Sequence, residues 1–274
     1  MTVLNSILQT LVNGFLYPFR QFPIVALVLI SIVTAVGMLL VFKKTSNQTA
    51  LEAVKRRIHA CLFEIRLFND DLGAIFRAQF EILRTNLSYL RLQLVPLVFI
   101  LPPMILLLTQ LQPHYGYRGL HIGEPVLVKV LVDESLAGEG AAKPALDLEV
   151  PEGLALETPA VWIPSRGELA WRMVAEKAGN YDLTVRLGDD SFAKSVQVSE
   201  EFVSRSPLRA VPGFVDQLLY PAEKPLPKEA PVRAIELKYP EDPTFLFMPR
   251  WMWIFFVLTI VFAFALRKPM KVTI

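Results

Sequence analysis

The chain has 274 residues, 53% of them hydrophobic, with a formal net charge of +2 at pH 7 and one cysteine. The apolar residues gather in three blocks, which excludes both a uniformly soluble chain and one embedded in lipid throughout. A single cysteine, Cys61, excludes an intramolecular disulfide, and the near-neutral total conceals an uneven charge distribution that is more informative than the sum.

Residues 1–22 carry no charge before Arg20 and place Leu4, Ile7, Leu8, Leu11 and Phe15 on one helical face. This pattern predicts a short amphipathic helix lying on a membrane surface. Residues 23–42 are uncharged and long enough, at 1.5 Å rise per residue, to cross a hydrocarbon core about 30 Å thick. The region before them lacks the basic segment and small-residue cleavage site of a signal peptide, so the block is expected to remain as the first span.

Residues 43–91 predict a cytoplasmic helical hairpin. Thr49 and Glu52 form a capping-box pattern, followed by Leu51, Val54, Ile58, Leu62 and Ile65 at three- and four-residue steps, so a helix is expected over residues 49–68. Asn69, Asp70, Asp71 and Gly73 mark the turn. The second helix carries a stripe of Ile75 or Phe76, then Phe80, Leu83, Leu87 and Leu90, which is expected to bury itself against the first. No turn signal separates this helix from the second apolar block, residues 92–111, so arm and span are expected to form one rod. Lys55, Arg56, Arg57, Arg66, Arg77 and Arg84 make the arm a candidate partner-binding surface, because positive charge suits phosphate-rich or acidic partners. Interspersed acids weaken that field, and specific DNA binding is not expected.

Residues 112–205 change to period two. Val126, Val128, Val130 and Val132 alternate with Leu127, Lys129 and Leu131, and further strands are expected over 146–150, 161–163, 169–175, 181–187 and 192–198. Gly188, Asp189 and Asp190 supply a hairpin turn. Short strands at this spacing predict an antiparallel β-sandwich, and Gly179, Asn180 and Tyr181 resemble the tyrosine corner of immunoglobulin-like domains. Trp162 and Trp171 read as core residues. Residues 206–249 are rich in proline and read as a semi-rigid connector, with a short apolar turn at Phe214, Val215, Leu218 and Leu219 and one strand over 232–239. Residues 250–266 form a third, marginal span behind Trp251 and Trp253, which suit a headgroup interface. Residues 267–274 form a basic tail.

The loop between spans one and two is net basic, the tail holds Arg267, Lys268 and Lys271 without an acid, and residues 112–250 hold more acids than bases. Basic loops stay in the cytoplasm. The expected fold is therefore mixed membrane α plus β in the inner (cytoplasmic) membrane. Three transmembrane helices, a cytoplasmic antiparallel hairpin and an extracytoplasmic sandwich are arranged with the N-terminus out and the C-terminus in. No metal-ligand spacing joins His59, His114, His121 and Cys61, and no nucleophile–base set or phosphate loop can be assembled. No cofactor, metal or enzymatic activity is expected.

The order of amphipathic helix, span, basic cytoplasmic hairpin and proline-bearing span resembles the YidC/Oxa/Alb superfamily of membrane-protein insertases. The likeness is carried by residues 7–111, including Leu40, Val41, Phe42, Lys43 and Lys44 at the exit of the first span and Pro96 and Pro102 six residues apart in the second. The three-span count is similar to the small archaeal and endoplasmic-reticulum branches. The resemblance implies assistance to membrane-protein insertion or assembly, with membrane lipid, client chains, other membrane-protein subunits and ribosomes as partners. It also implies a hydrated groove, for which Ser31, Thr34, Gln93 and Thr109 are the candidate lining residues. The bacterial members hold a basic residue in the first span, where this chain reads Ile32, Val33, Thr34 and Ala35. The alternative expectation is a non-catalytic scaffolding subunit of an envelope complex, whose sandwich binds a partner outside.

Overall fold

A computed structural model describes residues 2–68, 70–138 and 142–273, so Asn69 of the expected turn lies outside the described residues. The chain forms two compact units, Met1–Ala26 with Leu106–Met252 and Leu27–Ile105 with Trp253–Ile274. In chain order the elements begin with helices α1 (Thr2–Leu16), α2 (Pro23–Thr45), α3 (Gln48–Leu67) and α4 (Leu72–Tyr115). Strands β1 (Pro125–Val132), β2 (Leu146–Glu149), β3 (Leu154–Leu156), β4 (Val161–Ile163), β5 (Glu168–Ala175), β6 (Gly179–Leu187), β7 (Asp190–Val198) and β8 (Leu208–Ala210) follow. Helix α5 (Phe214–Leu219), strands β9 (Val232–Leu237), β10 (Thr244–Phe245) and β11 (Met248–Pro249), and helix α6 (Arg250–Leu266) complete the chain.

In the helical unit, α2 is uncharged until Lys43 and Lys44, which occupy its last turn, where cations complement the helix dipole. The cap of helix α3 lies two residues earlier than the capping box predicts. Asn47 is its cap, its Oδ1 accepting from the Ala50 N–H at 3.0 Å and from the Thr49 hydroxyl at 2.8 Å. Asparagine satisfies free amides at a helix start at least as well as threonine, and its place upstream of Gln48 adds a turn position. Asp71 caps α4, its Oδ1 accepting from the N–H groups of Gly73 at 2.8 Å and Ala74 at 3.1 Å. From there α4 continues for 44 residues through Pro96, Pro102 and Pro103. At 1.5 Å per residue it is about 66 Å long.

The arm differs from the expectation in which face is covered. Along the arm, the shielded positions of α4 include Ile75, Ala78, Ile82, Thr85 and Tyr89, on the side that carries the contacts to α3. There Arg57 Nε meets Glu81 Oε1 at 2.7 Å and the Lys55 ammonium lies 5.8 Å from the centre of the Tyr89 ring. Of the expected stripe, Ile75 is on the shielded side, and the rest stands outward: Phe76 is 67%, Leu83 68% and Leu87 70% exposed. Both sets recur at heptad spacing about one residue apart, so periodicity alone does not choose between them. The covered set is mixed in size and includes the small side chains Ala78 and Thr85.

Helices α2 and α4 are each long and apolar enough to cross a membrane, whereas α6 has 17 residues. Only 28% of the most apolar stretch of α2 and 22% of that of α4 is buried within the molecule. Core helices of a soluble domain would be covered; these present their apolar side chains outward.

In the β unit, one large sheet runs β3-β5-β1-β9-β8 with β4 also pairing β5, a second runs β2-β6-β7, and β10 and β11 form a two-stranded ribbon, all antiparallel. Inner-face residues from both sheets close one core, among them Val128, Val130, Trp171, Leu183, Val185 and Ile235. The alternation read in β1 is thus a buried face and an outer face. Trp171 is in this core and Trp162 packs against it. Gly188, at φ +61°, makes the tight β6–β7 turn that a side chain would strain. The Tyr181 hydroxyl donates to the Lys177 carbonyl at 3.0 Å, tying β6 to the turn before it.

The proline-rich stretch is more than a connector. Its β8 pairs with β9, and β9 pairs with β1 in the middle of the larger sheet. The prolines fall outside both strands, where their missing N–H groups interrupt no ladder bond.

Candidate functional site

The basic residues expected on the arm do not converge on one point. Arg57 is held by Glu81, Arg56 reaches Glu52 at 3.4 Å, and Arg77 Nε donates to the Gly73 carbonyl at 3.2 Å. Lys55 is over Tyr89, while Arg66 and Arg84 are exposed. These are surface interactions in high dielectric and contribute little individually. What the arm does present is the outward row Phe76, Phe80, Leu83, Leu87 and Leu90, with Arg77, Arg84 and Arg91 each adjacent in sequence to one of its members. The row continues along α4 as Leu94, Leu97, Val98 and Leu101, all exposed. A cavity of about 570 Å³ opens beside its distal end, lined by Arg57, Glu64, Phe76, Arg77, Phe80 and Glu81 among others.

Such a face offers a second helix an apolar seam with cations along its border. The sequence carried the signal for the row itself; which side it faced required knowing that α3 packs against the neighbouring one.

The candidate groove residues fall in different units. Ser31 and Thr34 on α2 and Gln93 on α4 belong to the helical unit, and Thr109 to the other. The Ser31 hydroxyl is buried and donates to the Leu27 carbonyl at 2.8 Å; Thr109 likewise donates to Leu106 at 2.9 Å. Thr34 and Gln93 are half-buried. Ser31 and Thr109 thus satisfy themselves within their helices instead of presenting free hydroxyls.

A polar seam missed by sequence reasoning lies between α1 and the end of α4. Asn5, Gln9 and Gln110 are buried there, with Gln110 Nε2 donating to Asn5 Oδ1 and Gln9 Nε2 to the Gln110 carbonyl, both at 3.5 Å. Asn5 Nδ2 also donates to the Gln217 carbonyl of α5. As a result α1 turns its polar side inward and leaves Leu4, Ile7, Leu11 and Phe15 exposed. Alongside α1, α5 exposes Phe214, Val215 and Leu219. The two helices present an apolar surface that water does not favour.

At the junction of α4 and α6, Tyr115 stacks on Trp251 at 5.7 Å between ring centres and meets Phe202 edge-on at 4.7 Å. Its hydroxyl donates to the Pro23 carbonyl at 2.8 Å. Asp242 starts α6 by accepting from the Trp251 N–H at 3.0 Å. Among the described residues no group of three or more histidine, cysteine, aspartate or glutamate side chains is placed to hold a metal ion. No family model, curated protein or solved structure matches the chain.

Proposed function

We propose that this chain is an integral membrane protein that holds apolar helical segments of other membrane proteins while they insert or assemble, without enzymatic chemistry. The observation that carries the reading is the open heptad row on α4, from Phe76 to Leu90, on a helix that continues into a span-length apolar segment. A client helix docked on that row would pass from the arm to the bilayer along one continuous surface. The order of elements, similar to that of the YidC/Oxa/Alb superfamily, supports the same role.

In this reading α2, α4 and α6 are the three spans. The 17 residues of α6 cover about 26 Å, so Trp251 and Trp253 at its start lie at headgroup level. The tail supports a common side for the basic segments. Lys43 Nζ donates to the Met270 carbonyl at 2.8 Å and the Thr273 N–H to Gln48 Oε1 at 2.7 Å, joining the C-terminus to the start of the arm. Arm and tail are then cytoplasmic, and the β domain, an antiparallel sandwich, is extracytoplasmic. Membrane lipid, client chains and ribosomes are the partners.

The second reading is a scaffolding subunit of an envelope complex, favoured by the regular 4-3-4-3 spacing of the row, which also suits one permanent partner helix. A photoreactive amino acid at Phe80 or Leu87, combined with stalled nascent membrane proteins, separates the two. Crosslinks to varied nascent spans are the expected result. Crosslinks to one fixed subunit would establish the scaffold, and none to any membrane protein would overturn both.

A further inference from the structure

A second cavity, of about 660 Å³, lies wholly within the unit that contains α1 and the β domain. Its polar wall comes from three directions: Asn13, Tyr17 and Arg20 from α1 and the turn after it, His114 from the end of α4, and Asn180 with Gln197 from β6 and β7. Asn180 and Gln197 are register partners across those two strands, so their amides stand side by side on the outer face of the sheet. None of the lining residues is an aspartate or glutamate. Nδ1 of His114, a residue 95% buried, has no hydrogen-bond partner among the described residues.

Arg205, next to the lining loop residues Val203 and Ser204, adds to this balance. Its guanidinium is buried and donates only to backbone carbonyls, those of Tyr117, Ser199, Glu201 and Val203, at 2.7 to 3.3 Å. Arg20 supplies the guanidinium in the wall, the charge of Arg205 also acts on His114, and no lining carboxylate offsets them. Such a site favours an oxyanion with several acceptor oxygens.

Its place in the chain selects the kind of oxyanion. Arg20 precedes the first residue of α2 by three positions, and Gly14 in the cavity wall is flanked on α1 by the exposed Leu11 and Phe15. We propose that this cavity holds the phosphate of a phospholipid headgroup, with the acyl chains lying against the outward apolar face of α1. The proposal rests on α2 being a membrane span, as in the preceding section.

The test uses the full chain in nanodiscs of phosphatidylcholine containing a fixed fraction of phosphatidylglycerol, with retained phospholipid counted by native mass spectrometry after transfer to mild detergent. Wild type is expected to retain phospholipid that Arg20→Gln releases about tenfold more readily, one charge-assisted hydrogen bond being lost. Arg20→Lys restores most of the retention, and Arg186→Gln, on the outer face of β6, leaves it unchanged. Arg20 is exposed and its contact is the face of the Tyr17 ring, so the variant folds, as an unchanged melting temperature would verify. Equal retention by wild type and Arg20→Gln overturns the proposal. Displacement of the lipid by millimolar glycerol phosphate also overturns it, in favour of a soluble phosphate ester. A chain that stays soluble without detergent or lipid would instead overturn the membrane reading, so the two failures are distinct.

Discussion

Lys194 is among the largest fully buried side chains of the described residues, on the inner face of β7 among Phe192, Val196 and Val198. A lysine there is tolerated because its ammonium donates to the Ser206 carbonyl at 2.6 Å and is paired with Glu223, whose other oxygen accepts from the Ser195 N–H at 3.0 Å. Burial pulls Lys194 below its usual range, with Glu223 opposing. Burial also opposes ionisation of Glu223, but the charge and hydrogen bond of Lys194, with the Ser195 N–H, hold its carboxyl below the ordinary range. Glu223→Gln leaves the ammonium buried without a counter-charge and is expected to cost about 3–5 kcal/mol in unfolding free energy. The double variant Lys194→Met with Glu223→Gln is expected to recover most of that. Because the folded carboxyl titrates below its unfolded value of 4.5, its contribution is present above that pH and lost as pH falls through the lower folded value. Thermal melting of wild type should therefore drop below about pH 4.5 by an amount that Glu223→Gln does not show; parallel curves would reject the assignment.

Among the elements, those governed by a short local rule were legible in advance. Val126 to Val132 alternates because one side of β1 faces the core, and the Gly188 turn follows from a backbone conformation that glycine adopts freely. The strands β3 and β8 have three residues each and are too short to show a period, so their pairing with β5 and β9 depends on neighbours distant in sequence. The arm marks the same boundary at the candidate site. Phe76, Phe80, Leu83, Leu87 and Leu90 were visible as a row, but two heptad sets overlap on α4 and only packing decides between them. The seam of Asn5, Gln9 and Gln110 had no signal, since three amides far apart in sequence do not announce that they meet. Exposure makes the row testable. Leu83→Ser with Leu87→Ser is expected to change stability by less than about 1 kcal/mol, because neither side chain is in a core. The same pair should abolish crosslinking from Phe80 to a docked helix. A stability loss of several kcal/mol would mean that the row is covered within the chain, and intact crosslinking would mean that the docking surface lies elsewhere.

For the whole molecule, orientation links the two units to function. In the proposed role the arm meets chains leaving the ribosome only on the cytoplasmic side, and the proposed phosphate site meets the outer leaflet only if α1 lies outside. Both follow from one topology, and the sole cysteine makes it measurable. In a Cys61→Ala background, a cysteine at Asp189, in the exposed β6–β7 turn, should react in intact cells with a maleimide that does not cross the membrane. A cysteine at Arg66, near the end of α3, should react only after the cells are opened. Reversed labelling would place the β domain inside, removing nascent chains from reach of the arm and the outer leaflet from reach of the cavity. Labelling of both positions in intact cells would mean that α2 and α4 do not cross the bilayer as a pair. The exposed apolar faces of α2 and α4 would then have to be covered by other protein, which turns the same surfaces into subunit interfaces and favours the scaffold over the insertion factor.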